Sequence, residues 1–245
     1  MMGDNDRQLT MGKETVAHTD EPVVAVDGLP ASGKSTLSRE LASNCRRCQP
    51  IDEFELEEPS GPLFPETASQ LRAFSTDEYE RERLRREAVG NERPLVLDIS
   101  VVSTVGLITL YDQIFESCVA LDLIDMYRQA GVNGEIILPT HVVYQTCDAE
   151  TIQSRWADRS SHVPFWEEPA LVKYFNGYIT ALAEEIPVAV YDSSNQVPAE
   201  IASEASNHVA TTPAIDRTDL LDGLEAVLNQ LPSVSLEPLR VHLTG

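Results

Sequence analysis

Apolar residues along this chain follow two rhythms. Short continuous runs occur at Val23-Val24-Ala25-Val26, Pro94-Leu95-Val96-Leu97-Asp98, His141-Val142-Val143-Tyr144 and Val188-Ala189-Val190-Tyr191. Runs of this length, rich in valine and bounded by polar residues, predict strands buried on both faces of a parallel sheet. Between them the apolar positions fall three and four apart, as at Leu37 and Leu41, then at Leu171, Tyr174, Phe175, Tyr178 and Leu182. Leu220, Leu221, Leu224, Val227 and Leu228 repeat the pattern. That spacing predicts amphipathic helices. With a short further strand expected at Phe54 to Glu58, the alternation specifies an α/β fold: a central parallel sheet of about five strands between helical layers.

Local signals set the remaining boundaries. Ser75-Thr76-Asp77-Glu78 has the form of a capping box and is expected to open a helix that stops at Gly90. Its arginines, Arg81, Arg83, Arg85 and Arg86, are expected to pair with Glu80, Glu82 and Glu87 on a solvated face. A substrate-phosphate role for one or two of them is the open alternative. A long helical region is expected from Ser103 to Ala130, closed by Gly131 and Gly134. Asp148 is placed to cap a helix from Ala149 to Arg159, another is expected over 167–185, Pro198 opens one over 198–208, and Thr218 starts the next. Residues 1–20 are polar and aperiodic and are expected to be a disordered tail. The expected organisation is therefore that tail, a nucleotide-binding domain over 21–209, and a C-terminal helix and tail over 210–245.

Charge changes the picture. The 245 residues carry 18 basic and 40 acidic side chains, a net charge of −22. The lysines are Lys13, Lys34 and Lys173, against fifteen arginines. Such a surface repels nucleic-acid backbones and argues against a nucleic-acid polymer as partner. Because the carboxylates are spread along the whole chain, they point to a halophilic type of acidity suited to a high-salt cytoplasm. No apolar run approaches a membrane span and no signal-peptide core is evident, so a cytoplasmic protein without a membrane partner is expected. Cys45 and Cys48 form a C-x-x-C pair with no second pair at zinc-site spacing, and both are read as free thiols.

The chemistry concentrates at Gly28-Leu29-Pro30-Ala31-Ser32-Gly33-Lys34-Ser35-Thr36, which matches the phosphate-binding pattern G-x-x-x-x-G-K-[ST]. A strand precedes it and a helix follows, the context the motif needs; a chance glycine-rich turn is the bland alternative. Gly28 and Gly33 let consecutive N–H groups turn inward around a phosphate, and the helix N-terminus adds partial positive charge. Lys34 is expected to reach the β- and γ-phosphates of ATP, and Ser35 to hold Mg²⁺. Asp98 ends a neighbouring strand, where an acid holds Mg²⁺ or its water, with a plain turn residue as the alternative. Arg155 and Arg159 lie four apart on one helix face and repel unless an anion lies between them. A transferring phosphoryl group is such an anion, and surface pairs with Glu150 and Asp158 are the alternative.

In this order the motifs resemble those of the thymidylate kinase and deoxynucleoside kinase branch of P-loop kinases, over roughly residues 22–205. Leu95-Val96-Leu97-Asp98 with Ser103-Thr104 resembles the family's strand ending in Asp-Arg and the Ser-Thr after it. His141 to Arg159 resembles its strand, acidic turn and lid helix, and Glu57-Glu58-Pro59 resembles its Glu-Pro. Tyr178 and the strand ending at Asp192 resemble the closing segment, whose following loop lies near the adenine. Ile99 stands where the family carries arginine, and Gln145-Thr146 where it usually has Leu-Asp. The resemblance implies a three-layer P-loop NTPase fold with a mobile helical lid, ATP and Mg²⁺ as cofactors, and a small-molecule phosphate acceptor. A nucleoside or nucleoside monophosphate is the implied acceptor, with Asp98 or Glu58 taking its proton. A homodimer is left open. Two other readings stand beside the kinase: a nucleotide-dependent switch or ATPase, and a degenerate ATP-binding protein without an acceptor.

Overall fold

The computed structural model describes residues 21–45, 47–53, 56–90, 94–157, 163–231 and 235–244. Five strands, β1 (Val23–Gly28), β2 (Gln49–Ile51), β3 (Leu95–Asp98), β4 (His141–Thr146) and β5 (Val188–Asp192), form one sheet. They lie in the order β2-β3-β1-β4-β5 and every pairing is parallel. In register, Val26 is opposite Asp98 on one side of β1 and Gly28 opposite Gln145 on the other. The order reverses at β1, and a cleft opens beyond the carboxyl ends of β1 and β3, where such sheets bind ligands.

In β1, β3 and β4 the continuous apolar runs are explained by helices on both faces; in the edge strand β5, expected to be buried likewise, Val190 is exposed. Val24, Val26, Val96 and Val143 pack under α1 (Lys34–Asn44) and α7 (Pro198–Thr211), against Leu37, Leu41, Ile201 and Ala205. The residues between them, among them Val142 and Tyr144, face the larger core on the other side. That core takes in α2 (Ala68–Val89), α3 (Val101–Phe115), α4 (Val119–Asn133), α5 (Ala149–Ala157) and α6 (Pro169–Glu185). It also takes in α8 (Arg217–Leu228) and α9 (Glu237–Thr244), through Leu220, Leu224, Leu239 and Leu243. A 3-10 turn, Pro164–Glu167, precedes α6.

Several expected boundaries are corrected. The second strand is Gln49–Ile51 rather than Phe54–Glu58; Phe54 and Glu55 lie outside the described residues, and Glu57 and Glu58 are exposed and not in a strand. Its Gln49 and Pro50 are exposed, so no buried apolar run marks it. α2 opens at Thr67, whose hydroxyl accepts from Gln70 N–H, so Ser75 is a buried residue inside the helix and not its cap. The long helical region is two helices. Glu116 adopts φ 54°, and the Asp112 carboxylate accepts from Val119 and Ala120 N–H at 2.8 and 2.7 Å to start α4. Apolar positions run through this break, so periodicity could not reveal it. The C-terminal segment, read as a tail, contains α9. Cys45 and Cys48 are joined in a disulfide instead of being free; the turn ending α1 brings their Cα atoms to 5.2 Å, within bonding reach. Residues 1–20 lie outside the described residues.

Candidate active site

The loop between β1 and α1 is shaped by three residues of positive φ: Gly28 at 145°, Ala31 at 66° and Gly33 at 103°. At Gly28 the requirement is doubled, because a Cβ would sit 2.5 Å from the Gln145 carbonyl oxygen. No side chain caps α1, which leaves its first N–H groups to face whatever lies in the cleft. Lys34, buried, donates from Nζ to the Leu29 carbonyl at 3.0 Å and arches over the loop. Gly28, Leu29, Pro30, Ala31, Gly33, Lys34, Ser35, Thr36 and Asp98 all line one cleft of about 270 Å³, the small end of ligand-site sizes. Ser32 is buried behind it and is not a lining residue.

Asp98 reaches the cleft because the chain turns sharply after β3. Ile99 adopts φ 66°, a left-handed conformation that β-branched residues resist at a cost of about 1–3 kcal/mol. Three contacts hold it there. Ile99 N–H donates to Val26 O at 3.1 Å, Arg85 donates to Ile99 O at 3.0 Å, and the Asp27 carboxylate grips the next residue. Asp27, fully buried, accepts from Ser100 N–H at 2.9 Å, from the Ser100 hydroxyl at 2.6 Å and from Ser103 N–H at 3.3 Å. Gly28 N–H in turn donates to Ser103 Oγ. The start of the phosphate loop and the turn that aims Asp98 are thus tied into one unit.

The far half of the cleft is walled by Phe74, Ile99, Leu107, Trp166 and Phe175, with Glu53, Glu78, Arg81 and Thr104 among them. Here the expectation of a solvated arginine face is corrected for half of its members. Arg83 does pair at the surface with Glu80 and Glu87. Arg81 and Arg85 face inward instead. Arg85 meets Glu82 at 3.1 Å with both side chains fully buried. Arg81 Nη2 meets Glu78 at 2.5 Å and donates to Thr104 Oγ1 at 3.2 Å, while Nη1 lies 3.5 Å from Glu53. Burial pushes the Glu78 and Glu82 carboxyls above their ordinary value, against the pull of Arg81 and Arg85. Burial alone works to lower Arg81, and its two neighbouring glutamates outweigh it, so the guanidinium stays charged.

Arg155 lies behind the loop. Its Nη1 donates to Ala31 O and Ser32 O at 3.1 and 2.9 Å, and its Nη2 to Ser193 O at 2.7 Å, so one guanidinium joins the phosphate loop, α5 and the turn after β5. Arg159 lies outside the described residues. Asp148 caps α5 as expected: Thr151 N–H donates to it at 2.6 Å, which holds its carboxyl below the usual range. Glu58 is exposed and does not line the cleft. The residues that sequence reasoning missed are Asp27, Ser100, Glu53 and the Glu78–Arg81 pair as an inward-facing one; Ser103 was singled out there only as part of the Ser103-Thr104 resemblance. The only forward signal for Asp27 was a charge at the end of an otherwise apolar strand.

Among the described residues, no group of three His, Cys, Asp or Glu side chains is placed to hold a metal ion by itself. A magnesium ion bound through one carboxylate, a hydroxyl and nucleotide phosphates fits what is present. Asp98 Oδ1 is buried with no hydrogen-bond partner, and Ser35 lines the same cleft. Among the described residues no helix is long and apolar enough to cross a membrane.

No protein-family model matches the chain, and no curated protein does. Solved structures do. The chain superposes on thymidylate kinase from Candida albicans with a TM-score of 0.53 at 14% identity, covering 78% of this chain and 92% of that one. It superposes on deoxyadenosine kinase from M. mycoides, solved with bound dATP, with a TM-score of 0.51 at 17% identity, covering 78% and 100%. Both likenesses concern the fold. The chain has the fold of a P-loop kinase of the thymidylate and deoxynucleoside kinase type.

Proposed function

We propose that the protein is an ATP-dependent small-molecule kinase that phosphorylates a nucleoside or nucleoside monophosphate. One observation carries the reading: a single cleft joins a phosphate-cradling loop to a separate walled compartment, with Asp98 at their junction. ATP with Mg²⁺, when bound, would supply the transferable phosphoryl group. In this reading the N–H groups between Leu29 and Ser35 that the loop's own carbonyls do not take, together with the Lys34 ammonium, hold its phosphates. Ser35 and Asp98 are the proposed metal ligands. Three carboxylates line the cleft; Glu78 is held by Arg81, which leaves Asp98 and Glu53 as the candidates to take the acceptor's proton. Arg155 and Arg159 are proposed to close over the transfer, Arg155 by exchanging its loop carbonyls for phosphate. The likeness of fold to two nucleotide-handling kinases supports the same reading.

The test is ATP consumption with magnesium in high-KCl buffer, chosen because of the net charge of −22, against a panel of nucleosides, nucleoside monophosphates and small metabolites. Acceptor-dependent turnover is expected. Lys34→Ala is expected to lower it by about 1,000-fold or more while circular dichroism stays that of the folded chain. Substantial turnover in that variant sinks the assignment. ATP hydrolysis that no acceptor stimulates would point instead to the switch or the degenerate reading.

A further inference from the structure

We propose that the acceptor is a phosphate-free alcohol with a flat apolar body, and that the acceptor compartment rejects monophosphates; this deepens the kinase reading above and rests on it. The argument is one of charge. Away from the phosphate loop, Arg81 is the one cation among the described residues lining the cleft. It is already surrounded by carboxylates, at 2.5 Å from Glu78, 3.5 Å from Glu53 and 4.0 Å from Glu82. Its remaining near contact, Thr104 Oγ1 at 3.2 Å, is neutral. A phosphate entering here must compete for a guanidinium that two or three carboxylates hold, and must itself approach Glu53, Glu78 and Asp98. Burial raises the Glu78 and Glu82 carboxyls alike, but even with both protonated Arg81 still faces Glu53 at 3.5 Å.

The turn after β3, next to the reacting end, offers no cation either. It presents Ile99, locked by the Val26, Arg85 and Asp27 contacts. The rest of the wall is Phe74, Leu107, Trp166 and Phe175, against which a hydrated anion would have to shed water without recompense. An uncharged ring has the opposite preference. It gains from the apolar wall, and its N–H and O–H groups can donate to the carboxylates.

The chemistry closes on itself. The acceptor's hydroxyl oxygen forms its bond to the transferred phosphorus as the bond from phosphorus to the leaving diphosphate oxygen breaks, and the hydroxyl proton passes to a cleft carboxylate. The product is then a phosphate ester in surroundings that disfavour it. Weak product retention follows.

The test uses the full chain, ATP and magnesium, with matched pairs as probes: four nucleosides and their 5′-monophosphates. The nucleoside of the best pair is expected to exceed its monophosphate in kcat/KM by at least about tenfold. A ratio below that overturns the inference and leaves the kinase standing. ATP binding without turnover of either member of any pair overturns the kinase reading, and this inference with it. Two variants isolate charge from shape. Ile99→Arg is expected to shift the ratio toward the monophosphate by at least about threefold, and Ile99→Gln to leave it in place. Equal shifts in both variants would overturn the electrostatic account.

Discussion

The two halves of the cleft are built from different materials. The phosphate-loop half is made of backbone: glycines, a helix terminus and N–H groups, with Lys34 as its main charge. The half proposed to take the acceptor is made of side chains: Glu78 and Arg81 line it among aromatic residues, and they continue into a buried ionic cluster with Glu82 and Arg85 behind. In the proposed reading the backbone cradle would recognise what every nucleoside triphosphate shares, and it is written in nine consecutive residues. The side-chain compartment, in the same reading, would recognise what distinguishes one acceptor from another, and it is gathered from residues 53 to 175.

Breaking the acceptor half should cost stability first. Arg85→Met strands the Glu82 carboxylate at zero exposure, and is expected to destabilise the fold by about 3–5 kcal/mol in urea unfolding. Adding Glu82→Leu should return most of that loss, since a well-packed apolar pair replaces the ions. If the single variant is as stable as the parent, the cluster does not hold α2 to the β3–α3 turn. Breaking the loop half should cost ligand instead. Gly28→Ala must move the loop off the Gln145 carbonyl, and a loss of about 2–3 kcal/mol, roughly 100-fold in ATP affinity, is expected by calorimetry. Unchanged affinity would mean that the loop is not a rigid backbone cradle.

The smallest effect is one of pH. Glu78 is raised above the ordinary 4.5 in the folded chain, so the folded state binds more protons than the unfolded one in the interval above 4.5. Its contribution to stability is therefore fully present below 4.5 and is lost as pH rises through the folded value. Glu78→Gln, which mimics the protonated form, should gain on the parent as pH rises toward neutrality in parallel denaturation series. A difference that does not move with pH would place Glu78 in a better-solvated setting than its burial implies.

The same contrast decides what could be read from the residues alone. Strands β1, β3 and β4 were legible because burial on both faces leaves an unbroken apolar run; the edge strand β5 keeps such a run although Val190 is exposed, and β2 was not legible, because its exposed Gln49 and Pro50 leave none. The loop and Asp98 were legible because their chemistry is local. Arg81 and Arg85 were not, because the spacing of Glu and Arg along α2 is that of surface ion pairs and only tertiary packing turns two of them inward. Asp27 had one neighbour in sequence to speak for it, while its partners lie 73 to 76 positions away. Ser75-Thr76-Asp77-Glu78 reads as the helix start, but Thr67-Ala68-Ser69-Gln70 fits the same capping-box pattern two turns earlier, and the chain starts α2 there.

Arg155 has a consequence for how the protein responds to what it binds. Its guanidinium is fastened at once to the Ala31 and Ser32 carbonyls and to Ser193, so the back of the loop and the last turn of α5 cannot be displaced independently. Thermodynamic reciprocity then applies to this joint. Whatever factor a bound phosphate applies to the resting position of α5, a change in α5 must return to phosphate affinity in equal measure. The helix and the loop keep one shared account of free energy, and a substitution at Arg155 divides it into two.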